Sequence, residues 1–153
     1  MDLSHRSTVL YHASIARIRE CRNAYMHGDY VLAMYLAGLA VECVLQAFAI
    51  REGAKHDARH DLPKWLLKCP SRLRDVIKGE VGGAWSQLVA LWDNDLRYLS
   101  VAGLLGYLRD KKADRRISGG PAAIVRQNAR RVVDAATIIH NKGIALWVSS
   151  TKK

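Results

Sequence analysis

Apolar residues recur along this chain at helical spacing, and nowhere do they alternate as a strand would require. The densest run is Val31–Ile50, in which only Gly38, Glu42 and Gln46 are not apolar. Those three fall at i, i+4 and i+8, so a helix gathers them into one narrow polar stripe. A helix apolar on every other face is one surrounded by other helices. The pattern therefore predicts a central helix over about Tyr30–Arg51, stopped by Gly53, with the rest of the chain wrapped around it.

A first helix is expected from near Ser7-Thr8 to about Met26. His27-Gly28-Asp29 then ends it and starts the next, glycine as the stop and aspartate as the cap. Lys55–Asp61 reads as a loop, and Leu62–Leu67 as a short helical turn closed by Cys69-Pro70. Ser71 caps a helix through Ile77, Gly82-Gly83 breaks the chain, and Ala84–Trp92 is amphipathic. Beyond Asp93-Asn94-Asp95 and Leu96-Arg97-Tyr98, a helix is expected over Val101–Lys112. Ser118-Gly119-Gly120-Pro121 is the clearest loop, with Pro121 suited to a first helical position. The last helix is expected to run to about His140 and to fray or kink at Asn141-Lys142-Gly143. With no strand pattern and no repeat, the expected fold is all-α, an antiparallel four- to five-helix bundle forming one domain over residues 1–153.

Twenty such residues could also span a bilayer. Glu42 and Gln46 oppose that, because a carboxylate near the bilayer centre costs roughly 2.5–3.5 kcal/mol. The N-terminus lacks the apolar core and cleavage site of a secretory signal. Cys21, Cys43 and Cys69 contain no C-x-x-C pair and read as reduced thiols. A cytoplasmic protein without a membrane partner is the expectation.

Charge changes the picture. The chain carries a net +10 over 153 residues. Half of it lies in Arg109–Asp134, where eight basic residues stand against three acidic ones. The eight are Arg109, Lys111, Lys112, Arg115, Arg116, Arg126, Arg130 and Arg131. Such asymmetry favours a polyanionic partner, nucleic acid before membrane, and these eight are the candidate RNA-binding residues, although Arg130 and Asp134 at i,i+4 can also pair on a solvated helix.

Four motifs together resemble one family. They are Gly28-x-Tyr30-x-x-Ala33, then Ala37-x-x-Ala40-Val41-Glu42, then His60-Asp61-Leu62, and last Leu96-Arg97-Tyr98. Their order and spacing are similar to the HEPN domain (higher eukaryote and prokaryote nucleotide-binding), over about Arg17 to Tyr98. The resemblance implies a helical bundle that homodimerises, in a prokaryotic toxin–antitoxin or defence system. It implies a cognate antitoxin or nucleotidyltransferase as partner and, in the active members, a metal-independent endoribonuclease without cofactor. One departure is Gln46, where the family usually has lysine. Glu42, His60, Asp61, Arg97 and Tyr98 are expected to form a structural polar seam, with Glu42 bonded to Arg97 or Tyr98 and Asp61 capping the short helix.

The nuclease branch carries Arg-x(4–6)-His, often with Asn after the Arg, and Arg22-Asn23-Ala24-Tyr25-Met26-His27 fits that form. A histidine can move the 2′-hydroxyl proton near neutral pH, and an arginine can stabilise charge on the phosphate. Arg22, Asn23 and His27 are thus the candidate catalytic residues. Arg6/His12 and Arg51/His56 match the loose spacing too, so only Asn23 distinguishes the first pair. In the family the motif lies in the C-terminal part of the bundle, which also counts against it. Moreover, i and i+5 lie about 140° apart on a helix, so convergence requires His27 to leave it. The competing reading is a helix-end arginine and a capping histidine. His140-Asn141 is a second polar pair, on the last helix. His56 and His60 with Asp57 and Asp61 are only loosely metal-like, and no metal site is expected. Two functions therefore compete: an RNA-cleaving effector, and a non-catalytic module of the same fold that binds nucleic acid, a nucleotide or a protein.

Overall fold

A computed structural model describes residues 2–57 and 59–151. The described residues are all-helical. Three long helices, α1 (Leu3–Met26), α2 (Tyr30–Arg51) and α7 (Gly120–Ser150), form the frame. Between α2 and α7 lie α3 (Leu62–Leu67), α4 (Ser71–Lys78), α5 (Gly82–Leu91), a 3₁₀ turn (Asn94–Tyr98) and α6 (Val101–Asp110). The expected four or five helices become seven because the middle of the chain is cut into short pieces by Pro70, Gly79 and the Asp93 and Ser100 caps.

Helix α2 packs along both α1 and α7 and meets α3 and the 3₁₀ turn on its remaining side. Every residue from Ala40 to Ile50 is buried. It is long and apolar enough to cross a bilayer, but most of its apolar length is covered within the bundle. The α1–α2 turn forms as its residues dictate. Gly28 takes a positive φ of 78°, and Asp29 accepts the Leu32 N–H at 3.2 Å. One apolar cluster runs from Ile18 through α2 to Trp147.

Two glycines mark places where helices need close approach. At Gly38 the indole of Trp92 lies so near that an added Cβ would come within 2.1 Å of it. The indole N–H donates to the Tyr35 carbonyl at 3.1 Å, locking the ring against α2. Gly143 faces Val44, where a Cβ would sit 3.0 Å from a methyl group. That contact explains why α7 continues unbroken to Ser150 instead of kinking at Asn141–Gly143. Gly143 is a packing position, and tertiary burial outweighs its weak helix propensity. Likewise α1 begins at Leu3, before the expected Ser7-Thr8 cap, and Ser7 is buried with its hydroxyl donating to the Ser4 carbonyl.

In the structure Trp65, Trp92 and Trp147 are buried and Trp85 is half-buried. The exposed apolar side chains lie elsewhere, at Met26, Leu32, Tyr98 and Val101 among others.

Gly38→Ala should lower stability by roughly 1–3 kcal/mol, because the added methyl must displace a buried indole. Gly106→Ala, in a helix interior with open space beside it, should instead stabilise by about 0.5–1 kcal/mol. Urea unfolding followed by tryptophan fluorescence separates the two; equal effects would mean that Trp92 does not rest on Gly38.

Candidate functional site

The polar stripe of α2 is answered by the loop that follows it. Glu42, only 2 % exposed, accepts from Gln46 Nε2 at 2.6 Å. Its two carboxylate oxygens lie 3.0 and 2.9 Å from Nδ1 of His60, which therefore donates. Burial pushes the Glu42 carboxyl up, and the bonds from His60 and Gln46 oppose that rise. An isolated buried carboxylate is costly, so a partner is obligatory.

The His60-Asp61-Leu62 tripeptide does three tasks in succession. His60 binds Glu42, Asp61 caps α3 by accepting the Lys64 N–H at 3.0 Å, and Leu62 is buried in the core. The Trp65 indole donates to the Arg59 carbonyl and ties the loop down. The expectation that Arg97 or Tyr98 would meet Glu42 is corrected. On the 3₁₀ turn Leu96 is the buried residue, whereas Arg97 and Tyr98 are exposed, with the guanidinium 4.6 Å from the centre of the Tyr98 ring.

Arg22 and His27 are not brought together. His27 Nδ1 donates to the Asn23 carbonyl at 2.7 Å, capping the end of α1. Its ring shares a groove with Asn23, Leu32 and Leu36, and Arg22 does not line it. The Arg22 charge acts instead on His140. Five residues of separation on an unbroken helix turn the two side chains to different faces.

His140 is 3 % exposed and packs against α1. The Ser14 hydroxyl donates to the Tyr11 carbonyl at 2.7 Å, so it accepts from His140 Nε2–H at 3.1 Å. The ring is then neutral, with its buried Nδ1 lone pair unpartnered among the described residues. Burial, and secondarily the Arg22 guanidinium, push its pKa down to about 4. So deep a ring is a core group, not one that reaches a substrate. The cysteines are buried as well, with thiols pushed up to about 12 at Cys21 and Cys69 and about 11 at Cys43. At those values they are protonated and unreactive. Of the loosely metal-like set, Asp57 is engaged by the Arg59 guanidinium and His60 by Glu42.

The basic residues do gather. Arg126, Arg130 and Arg131 of α7 wall a cleft of about 540 Å³ together with Gln127, Asp134 and, from α1, Tyr25. All three arginines are exposed. The Arg130–Asp134 contact, at 3.6 Å between exposed side chains, is a weak neutraliser. Tyr25, near the end of α1, is the member that nothing in the sequence singles out, because only the packing of α1 beside α7 brings it to the arginines. Arg109, in the last turn of α6, and Lys111, Lys112, Arg115 and Arg116, on the α6–α7 connection, are exposed. Asn128 anchors that connection by donating to the Ala113 carbonyl at 3.0 Å. Lys112 and Arg116 hold positive φ values of 57° and 65°.

Neither a family model, nor a curated protein, nor a solved structure matches this chain. Fold and sites define its class: an all-α protein with a buried carboxylate–histidine brace and an arginine-walled cleft.

His140 generates a pH prediction. Its folded pKa is depressed, so its contribution is fully present above the unfolded value of about 6.5 and is lost as pH falls toward 4. Between pH 7 and 4 the parent should lose about 3 kcal/mol through this group. His140→Gln should flatten that part of the profile in urea titrations at stepped pH. An unchanged slope would mean that the ring is charged or solvated in the folded state.

Proposed function

We propose that this chain is an RNA-binding member of the HEPN-like class, acting in the cytoplasm of a prokaryote within a toxin–antitoxin or defence system. Binding, not cleavage, is its own contribution. The observation that carries the reading is the cleft walled by Arg126, Arg130 and Arg131 beside Tyr25. Guanidinium forks match phosphate oxygens, and a tyrosine ring offers a base a stacking surface. The connection before α7 supports it. Lys112 and Arg116 occupy left-handed backbone positions that glycine would take at lower cost, so these basic side chains stand there at a local conformational cost. The toxin or defence setting, and an antitoxin or nucleotidyltransferase partner, rest on the family resemblance alone.

A homodimer belongs to the same reading. Leu32 and Val101, both exposed, line one groove that also holds Tyr35 and Leu99, an apolar face suited to a second copy. Light scattering should report a dimer at high micromolar concentration; a monomer there would remove this part.

The binding claim is tested by anisotropy with a fluorescent single-stranded RNA across a salt series. Affinity should fall with salt at a log–log slope of about 0.7 per phosphate contact. Replacing Arg126, Arg130 and Arg131 together by alanine should reduce that slope by roughly two to three contacts without loss of helicity. A folded triple variant that binds like the parent would refute the cleft. With chelator present the parent should leave RNA intact. Cleavage to 2′,3′-cyclic phosphate ends that disappears in His27→Ala would replace this reading with the endoribonuclease.

A further inference from the structure

The last residue of α2 is an arginine, Arg51, half-buried against aromatic rings. Its guanidinium carbon lies 4.0 Å from the centre of the Trp147 ring and 5.0 Å from that of Phe48. Those two rings meet edge to face, and Tyr11 stacks on Trp147 at 5.0 Å. Cation–π contacts of this kind fix the position of the group. They do not satisfy its N–H donors, which still call for acceptors. No acceptor among the described residues takes a hydrogen bond from them. Burial pushes the Arg51 pKa down and Glu52 opposes that shift, yet a guanidinium stays charged in a protein.

Arg51 borders a cavity of about 140 Å³ between the end of α2, the start of α4 and the end of α7. Phe48, Leu73 and Leu146 give it apolar walls, and Arg72 is its second cation. Arg72 is exposed and stands in the first turn of α4. That helix begins with neither a side-chain cap nor an acidic residue, so its dipole adds to the positive potential. Glu52 is the one acidic residue on the wall. It is exposed and forms no ion pair with either arginine among the described residues. Two cations against one anion leave the cavity positive, while Glu52 repels a second negative charge and so disfavours a phosphate dianion. The arginines of the α7 cleft line no part of it. A concave, apolar-walled site with a few convergent polar groups is the form that small-ligand sites take.

We infer that this cavity binds a monocarboxylate with a small apolar body, its oxygens received by Arg51 and Arg72 and its body seated against Phe48, Leu73 and Leu146. A guanidinium fork matches the two oxygens of a carboxylate. Partial burial makes that pairing stronger than it would be in open water. The rings under Arg51 hold the fork in place beforehand, so little side-chain freedom is lost on binding. The carboxylate can arrive on a free small acid or as the C-terminus of another chain.

The test uses the full chain, with isovalerate as the free acid, N-acetyl-valine as the chain-end form and isovaleramide as the uncharged form. Nitrogen-detected NMR should show a saturable single-site shift at Arg51 Nε with isovalerate in the millimolar range, and none with isovaleramide. Saturation by N-acetyl-valine as well would extend the site to a chain end; saturation by isovalerate alone would confine it to free acids. Affinities in variants are read at the Trp147 indole N–H. Arg51→Gln should weaken isovalerate binding roughly tenfold. Arg72→Gln, a change on an exposed side chain, should weaken it several-fold and decides the matter if Arg51→Gln unfolds. No saturable change at Arg51 would overturn the assignment. So would equal affinity in parent and Arg72→Gln, or inorganic phosphate binding as tightly as isovalerate. RNA affinity at the α7 cleft is read separately and need not change.

Discussion

Everything in this molecule is arranged around the need to bury a helix that is apolar on nearly all sides. A surface helix hides one stripe, whereas α2 has to be covered all round. Two long helices cannot do that, and the short pieces from α3 to the 3₁₀ turn complete the cover. The one row of α2 that is not apolar then becomes the critical place. Gly38 accepts the Trp92 ring, Gln46 donates to Glu42, and Glu42 receives a histidine from a loop 18 residues further on. Without that loop the carboxylate would be stranded in the core.

This arrangement explains how a small chain keeps two chemically opposed surfaces. The brace lies beside α3 and the 3₁₀ turn, where the accessible groups are acceptors and carboxylates. The arginines lie on α7 and the connection before it, carried on a helix whose buried face is supplied by Val125, Val132 and Ile139. Because the buried and exposed faces of α7 are separate, its charge does not enter the stability of the core.

Much of the fold was legible in the sequence, and the reasons are local. Helix α2 is bounded by Asp29 and Gly53, and Glu42 and Gln46 within it favour a helix buried among others over a membrane span. The Gly28 turn, the Asp61 cap and Pro121 in the first turn of α7 follow from residue chemistry alone. The failures came where tertiary contact overrode local preference. Gly143 looks like a break until Val44 is placed against it. Arg97 or Tyr98 was the expected partner of Glu42, and His60 takes that place because the answer depends on how the loop folds back. The Ser14–His140 bond joins positions distant in sequence and leaves no pattern to read. The Arg22–His27 spacing shows the reverse: a motif present in sequence whose side chains the helix turns apart.

The brace is the central claim, and a double-mutant cycle on Glu42→Gln and His60→Gln tests it most directly. If the pair is bonded and buried as described, either single change strands the other group. The double change should then cost less than the sum of the singles by roughly 1–3 kcal/mol in urea unfolding. Additivity to within about 0.5 kcal/mol would contradict the account, because it would mean that Glu42 and His60 do not meet.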